Sequence, residues 1–190
     1  MVGFKPEVEV LGGAVANGNP ITTGSWAHYF AEYSKWLPGT PHPDLNDVAG
    51  ANWAIRRELL DELAGFAEGE FGFETDLVGK LKGQGRRVEH APGWRIGHIH
   101  ETRIVDFWPI SFEYGRAYAK SRADGLLRRL LVVVGAPALA LLLLARSFEK
   151  ARHRREYWQP FLMCLPKLGA TFLVRAFGEA SGHLAAIRAR

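Results

Sequence analysis

The stretch Leu130 to Ala145 holds 16 residues without a single charge, and it constrains the chain more than any other feature. A helix that crosses a bilayer needs about 20 predominantly apolar residues. This run is shorter and contains Gly135 and Pro137, so it is open to three readings: a re-entrant or interfacial helix, a full crossing, or one arm of a buried helical hairpin. A basic cluster follows at once, Arg146, Lys150, Arg152, Arg154 and Arg155, and then a weaker apolar stretch from Tyr157 to Phe177, interrupted by Pro160 and Pro166. Two apolar helices around a basic turn suggest a hairpin seated in the cytoplasmic leaflet, where each juxtamembrane Lys or Arg contributes about 1 kcal/mol.

Charge is distributed to match. Residues 1–115 hold 10 Lys/Arg against 16 Asp/Glu, a net of −6, whereas residues 116–190 hold 14 against 4, a net of +10. Basic segments serve either nucleic acid or anionic lipid. Here the arginines flank lipid-like runs instead of alternating with the aromatic platforms of single-strand binders, so the expectation is a membrane and no nucleic acid. The one cysteine, Cys164, has no intramolecular partner, and the opening segment MVGFKPEVEV shows no apolar signal core. The expected location is the cytoplasmic face of the cell membrane.

Through residue 100 the pattern alternates between strand and helix. Glu7 to Val10 has period two and runs into Leu11-Gly12-Gly13, read as a strand ending in a tight turn, and Asn17-Gly18-Asn19-Pro20 is a turn signal. Trp26 to Trp36 reads as a short aromatic helix, and Pro38 to Pro43 as a connector, with a mobile lid as the alternative. Asn52 to Gly65 reads as a helix because Ile55, Leu59 and Leu63 fall at steps of four among charged neighbours. A further helix starts near Glu74, buries Leu77, Val78 and Leu81, and stops at Gly83 and Gly85. Arg87 to His90 and Trp94 to His100 read as extended, with Trp94, Ile96, His98 and His100 on one face. Phe112 to Arg129 reads as a polar helix leading into the apolar tail.

Three constellations carry candidate chemistry: Ala49-Gly50-Ala51-Asn52, Gly72-Phe73-Glu74-Thr75-Asp76-Leu77, and Pro92-Gly93-Trp94-Arg95-Ile96-Gly97-His98. Each has an ordinary reading as well. Asn52 suits a helix N-cap, Glu74 and Asp76 complement a helix dipole, and a lone histidine is commonly a half-buried core residue. Taken in order, however, they resemble the acceptor half of family 2 glycosyltransferases of the GT-A type. The resemblance extends to Arg56-Arg57-Glu58-Leu59-Leu60 with Gly65-Phe66, to Lys80-Leu81 with Gly85, to the upstream Leu11-Gly12-Gly13-Ala14-Val15, and loosely to Gly178-Glu179-Ala180-Ser181-Gly182.

That resemblance implies an α/β fold, with a partial GT-A (Rossmann-like) sheet and flanking helices over residues 1–110, followed by a helical membrane-associated hairpin over 111–190. It implies inverting transfer from a UDP- or GDP-sugar to a glycan or lipid-linked acceptor. Glu74 would be the base that takes the acceptor proton, with Asp76 behind it and Gly50, Ala51 and Asn52 binding the acceptor. The chain has one acidic residue before Thr75 where the family commonly has two. A Mg²⁺ or Mn²⁺ ion is expected on the leaving diphosphate, with His98 as one ligand. Hard cations prefer oxygen donors, and the Asp-x-Asp carboxylates that the family supplies are absent from this sequence. Because Met1 lies just before the strand that follows the nucleotide site, the nucleotide-binding half is expected from a partner polypeptide. A truncated, non-catalytic membrane-associated subunit is the alternative.

Overall fold

Val10 to Val15 is apolar or glycine at every position, the pattern of a strand covered on both faces. In the computed structural model these six residues are all buried within strand β1 (Val10–Asn17). The structure describes residues 5, 8–39, 47–62, 73–120 and 125–188, without the side chains of 60–62, 73–76, 92 and 120. Residues 40–46, with most of the Pro38 to Pro43 connector, lie outside the described residues, as do Leu63, Gly65, Phe66 and Gly72. After β1 come α1 (Thr23–Tyr33), a 3₁₀ turn (Ser34–Trp36), β2 (Trp53–Ile55), α2 (Arg57–Glu62), α3 (Phe73–Gly83) and β3 (Val88–His98). Four helices follow: α4 (Ile104–Lys120), α5 (Leu126–Val134), α6 (Ala136–Ala151) and α7 (Arg155–Arg188). The chain is α/β, a small mixed sheet with flanking helices and then long C-terminal helices.

Two compact units divide the chain, one formed by residues 1–18 and 35–98 and the other by 19–34 and 99–190. The division is interleaved, with α1 belonging to the helical unit.

The first unit is built on the sheet β2-β1-β3, antiparallel between β1 and β2 and parallel between β1 and β3. Val10, Val48, Leu59, Leu77, Val78 and Leu81 form its core, with Trp53, Ile55 and Val88 packed against them. Leu77, Val78 and Leu81 are the residues whose spacing predicted an inward face of α3. The helix ends as expected at Gly83, and the amides of Gln84, Gly85 and Arg86 return to the carbonyls of Lys80, Leu81 and Lys82.

Two expectations about this unit are corrected. The Leu11-Gly12-Gly13 segment does not end a strand: β1 continues to Asn17, and its partner β3 shifts register between Gly13 and Ala14, pairing them with Ala91 and Arg95. The two extended segments expected on either side of Pro92 are thus one bulged strand, which places the proline where a missing amide costs no ladder bond. The Asn52 to Gly65 helix starts only at Arg57. Trp53, Ala54 and Ile55 pair instead with Gly12, Leu11 and Val10. Aromatic and β-branched side chains favour a pleated, half-buried surface, and the free edge of β1 overrides the helical period.

In the second unit, α1 is capped by Thr22, whose Oγ1 accepts from the Ser25 amide at 3.1 Å. Helix α7 runs unbroken through Pro160 and Pro166, whereas the sequence suggested interruptions there. A proline inside a helix costs about 3 kcal/mol. The cost is offset by a buried seam of Tyr157, Phe161, Cys164 and Leu168, stepping by four and three, that packs α7 into the unit. The 16-residue apolar run is the one that breaks: Gly135 separates α5 from α6, and the two helices meet at 77°. Helices α4 and α7 cross backbone to backbone. A Cβ on Gly178 would stand 2.1 Å from the Phe112 carbonyl oxygen, and one on Gly115 would stand 2.1 Å from that of Arg175.

Candidate functional site

The residues expected to bind acceptor begin at the turn before β2. Gly50 is exposed and Ala51 half-buried, but Asn52 is only 3% exposed. Its Nδ2 donates to the carbonyls of Ala14 at 2.8 Å and Trp94 at 3.3 Å, and its own carbonyl accepts from the Gly13 amide at 2.8 Å. Asn52 therefore bridges the shifted register of β1 and β3, and a Cβ on Gly13 would fall 2.2 Å from its Nδ2. It does not cap a helix, because none begins there.

Glu74 and Asp76 stand in the first turn of α3, and their side chains lie outside the described residues. His98 closes β3, opposite Asn17, and its carbonyl accepts from the Gly18 amide at 2.8 Å. The alternation predicted for this segment is present: Trp94, Ile96 and His98 are half-buried and His100 buried, while Arg95, Gly97 and Ile99 are exposed.

A second polar centre, which the sequence reading passed over, lies within the helical unit. His28 and Glu32 stand one turn apart on α1, and His28 Nε2 lies 3.0 Å from Glu32 Oε2. The Glu101 amide donates to His28 Nδ1 at 3.1 Å, which places the ring proton on Nε2, aimed at the carboxylate. The same ring stacks on Phe107 with centroids 3.7 Å apart and meets the ring of His100 edge-on at 4.8 Å. His100 is 3% exposed. Asn19 clamps its backbone, donating from Nδ2 to the His100 carbonyl and accepting the His100 amide at Oδ1, both at 2.8 Å.

Glu32 is held from its other side. The Tyr114 hydroxyl donates to Glu32 Oε1 at 3.0 Å, and the Arg175 guanidinium lies over the Tyr114 ring at 5.4 Å while donating to the Ala31 carbonyl at 3.1 Å. Burial pulls the Arg175 guanidinium below its ordinary range, with the Glu32 carboxylate and then the Tyr114 phenol working against that pull. Burial likewise pushes the neighbouring Tyr29 phenol far above its usual value, reinforced by Tyr157 and Glu156.

Among the described residues, His28, Glu32 and His100 are the one group of three whose ligand atoms converge, all within 4.8 Å of one another. The histidine that joins it is His100, two residues beyond the expected His98. Two imidazoles and one carboxylate make a donor set for borderline cations; they do not fit a Mg²⁺ or Mn²⁺ ion that favours oxygen. No step is therefore assigned to that cation. The spacing His28-x-x-x-Glu32 on an aromatic helix was the available signal for this centre. Comparison with protein-family models, with curated proteins and with solved structures found no match.

Proposed function

We propose that the chain is the acceptor-side module of an inverting family 2 glycosyltransferase, acting at the cytoplasmic face of a membrane once a nucleotide-binding half completes it. The observation that carries this reading is the order of elements in the first unit. A buried strand, a Gly-Ala-Asn turn, a helix from Arg57, a helix opening on Glu74 and Asp76, and a strand ending in His98 follow in the order of the resembled motifs. In that frame Glu74 takes the proton from the acceptor hydroxyl as it attacks the anomeric carbon of a UDP- or GDP-sugar, and the turn at exposed Gly50 and half-buried Ala51 lies against the acceptor.

The membrane part of the proposal rests on the outer surface of the helical unit. Leu127, Leu131 and Val134 of α5, Leu141 of α6, and Leu162 and Met163 of α7 are each 60% exposed or more. Arginines and lysines at positions 128, 146, 150, 152, 154 and 155 fall within the same stretch of sequence. Helix α7 has the length and apolarity to cross a bilayer, yet 39% of its most apolar stretch is buried within the unit. An amphipathic assembly lying in the lipid interface fits these facts better than a crossing.

Co-expression with a nucleotide-binding half is expected to yield sugar transfer that Glu74→Gln lowers by about 10²- to 10⁴-fold. Wild-type-like transfer by that variant would remove Glu74 from the mechanism. Flotation with anionic vesicles, and its loss with neutral ones, tests the membrane face. A non-catalytic subunit with the same fold is the second reading. It is favoured by Asn52, whose amide is engaged with the sheet backbone, and it predicts no saturable binding of a UDP- or GDP-sugar by the purified chain.

A further inference from the structure

We propose that His28, Glu32 and His100 form a binding site for a divalent cation of the zinc class, independent of the transferase reading. Such ions take imidazole and carboxylate donors at about 2.0–2.1 Å in a tetrahedron, which sets donor atoms roughly 3.3 Å apart. His28 Nε2 and Glu32 Oε2 already stand 3.0 Å apart on one helix turn, and all three ligand atoms lie within 4.8 Å of one another. A contraction of about 1.5 Å by the third donor completes the set, leaving a fourth position for water.

The surroundings are those of a ligand set held from outside. Tyr114 occupies Glu32 Oε1 and so directs Oε2 toward His28. Asn19 fixes the backbone of His100 at both its amide and its carbonyl, and Phe107 holds the plane of the His28 ring. Hydrogen bonds of this outer kind orient metal ligands and are worth 10- to 100-fold in affinity.

One contact must change on binding. An imidazole that coordinates through Nε2 carries its proton on Nδ1, where it donates, yet here Nδ1 accepts from the Glu101 amide. Glu101 is exposed and belongs to neither helix nor strand, so its peptide can turn away and satisfy its amide with water. Metal binding is thereby coupled to the segment that leads into α4.

The test titrates the metal-free full chain with Co²⁺ and then Zn²⁺. One equivalent of Co²⁺ is expected to give the intense visible absorption of a four-coordinate site, and Zn²⁺ to abolish it. The backbone amide resonance of Glu101 should shift in step with Zn²⁺. His100→Gln and Glu32→Gln should each weaken binding at least about tenfold, whereas His153→Gln, on the exposed Glu149 pair, should leave it unchanged. No uptake by the wild type overturns the proposal, as does uptake that survives His100→Gln or an unmoved Glu101 resonance. Should the variants fail to fold, the wild-type spectrum and the Glu101 resonance decide it alone.

Discussion

The most heavily bonded polar centre of each unit of this chain is held in a different way. In the sheet-bearing unit, buried Asn52 is tied to the carbonyls of Ala14 and Trp94, and half-buried Arg56 to those of Val8 at 2.7 Å and Lys5 at 2.8 Å. In the helical unit, the centre around Glu32 is tied side chain to side chain, through His28 and Tyr114. The first arrangement fixes strand register and leaves little chemistry in the residues that do it. The second gathers ionisable groups from α1, α4 and the segment between β3 and α4 into one place. Pinning to backbone is a way to build a scaffold, whereas pairing of titratable groups is where a ligand can intervene.

The comparison can be broken most forcefully where the helical unit relies on bare backbone. Gly178→Leu places a side chain into the Phe112 carbonyl, 2.1 Å from the new Cβ, with no flexible neighbour to give way. Overpacking ordinarily costs 1–3 kcal/mol and more when backbone must move, so a loss of about 3 kcal/mol or more is expected in urea titration followed by helical circular dichroism. Gly182→Ala meets the Ala119 side chain at 2.7 Å and should cost less. A Gly178→Leu variant as stable as the wild type would show that α4 and α7 do not cross as described.

In the sheet-bearing unit the corresponding change is Asn52→Ala. It removes the bonds to the buried Ala14 carbonyl and the partly buried Trp94 carbonyl, at about 1 kcal/mol for each bond, and a loss of about 2 kcal/mol is expected. Asn52→Asp sharpens the point. Its carboxylate faces the carbonyl oxygens of Ala14 and Trp94 with no proton to offer, so it should cost more than alanine. Equal effects would mean that Asn52 acts through packing alone.

Much of the sheet-bearing unit was legible because its signals are local. Leu77, Val78 and Leu81 declare the inner face of α3, and the alternation from Trp94 to His100 declares β3. What escaped was set by pairing at a distance. Trp53 to Ile55 has a helical neighbourhood in sequence, and only the open edge of β1 makes it a strand. The site divides in the same way. Glu74 and His98 stand among recognisable motifs, while His28, Glu32, His100 and Tyr114 meet only after α1, α4 and the segment that leads into α4 come together. Even so, a His-x-x-x-Glu step on a helix and a second histidine at 100 were visible as parts. In the tail the break at Gly135 was legible in the glycine itself, whereas the stretch with two prolines stays one helix because packing outweighs local propensity there.

The side-chain pairing that defines the helical unit is tested by Tyr114→Phe, which deletes one hydroxyl and no carbon. Its bond to the Glu32 carboxylate is charge-assisted, a kind worth about 1.5–3 kcal/mol. With Glu32 still partly accessible, the lower figure, about 1.5 kcal/mol, is expected from the same urea titration. If Glu32 is to be a metal ligand, Tyr114→Phe should also weaken Zn²⁺ binding about 10- to 100-fold, because the hydroxyl orients the carboxylate that holds the ion. A change in stability without a change in affinity would leave the hydroxyl a purely structural tie.

The smallest effect concerns Cys164, and it bears on whether α7 belongs to the packed unit at all. Its thiol is fully buried and lies 3.4 Å from the Phe161 carbonyl. Burial raises its pKa from 9.0 to about 12, with the thiol's own backbone contact and Lys167 pulling weakly the other way. The thiolate is the reactive form, so alkylation at pH 8 should proceed readily in denaturant and only through opening of the helical unit in its absence. The sign for stability follows. Above pH 9 the unfolded chain ionises this thiol and the folded chain does not, so its contribution to stability declines as pH rises from 9 toward 12. Comparing the wild type with Cys164→Ala across that window isolates the effect from other titrating groups. If α7 instead leaves the packing to lie in lipid, the thiol loses its protein wall, and vesicles added to the chain should change its alkylation rate while leaving the Asn52 comparison in the sheet-bearing unit untouched.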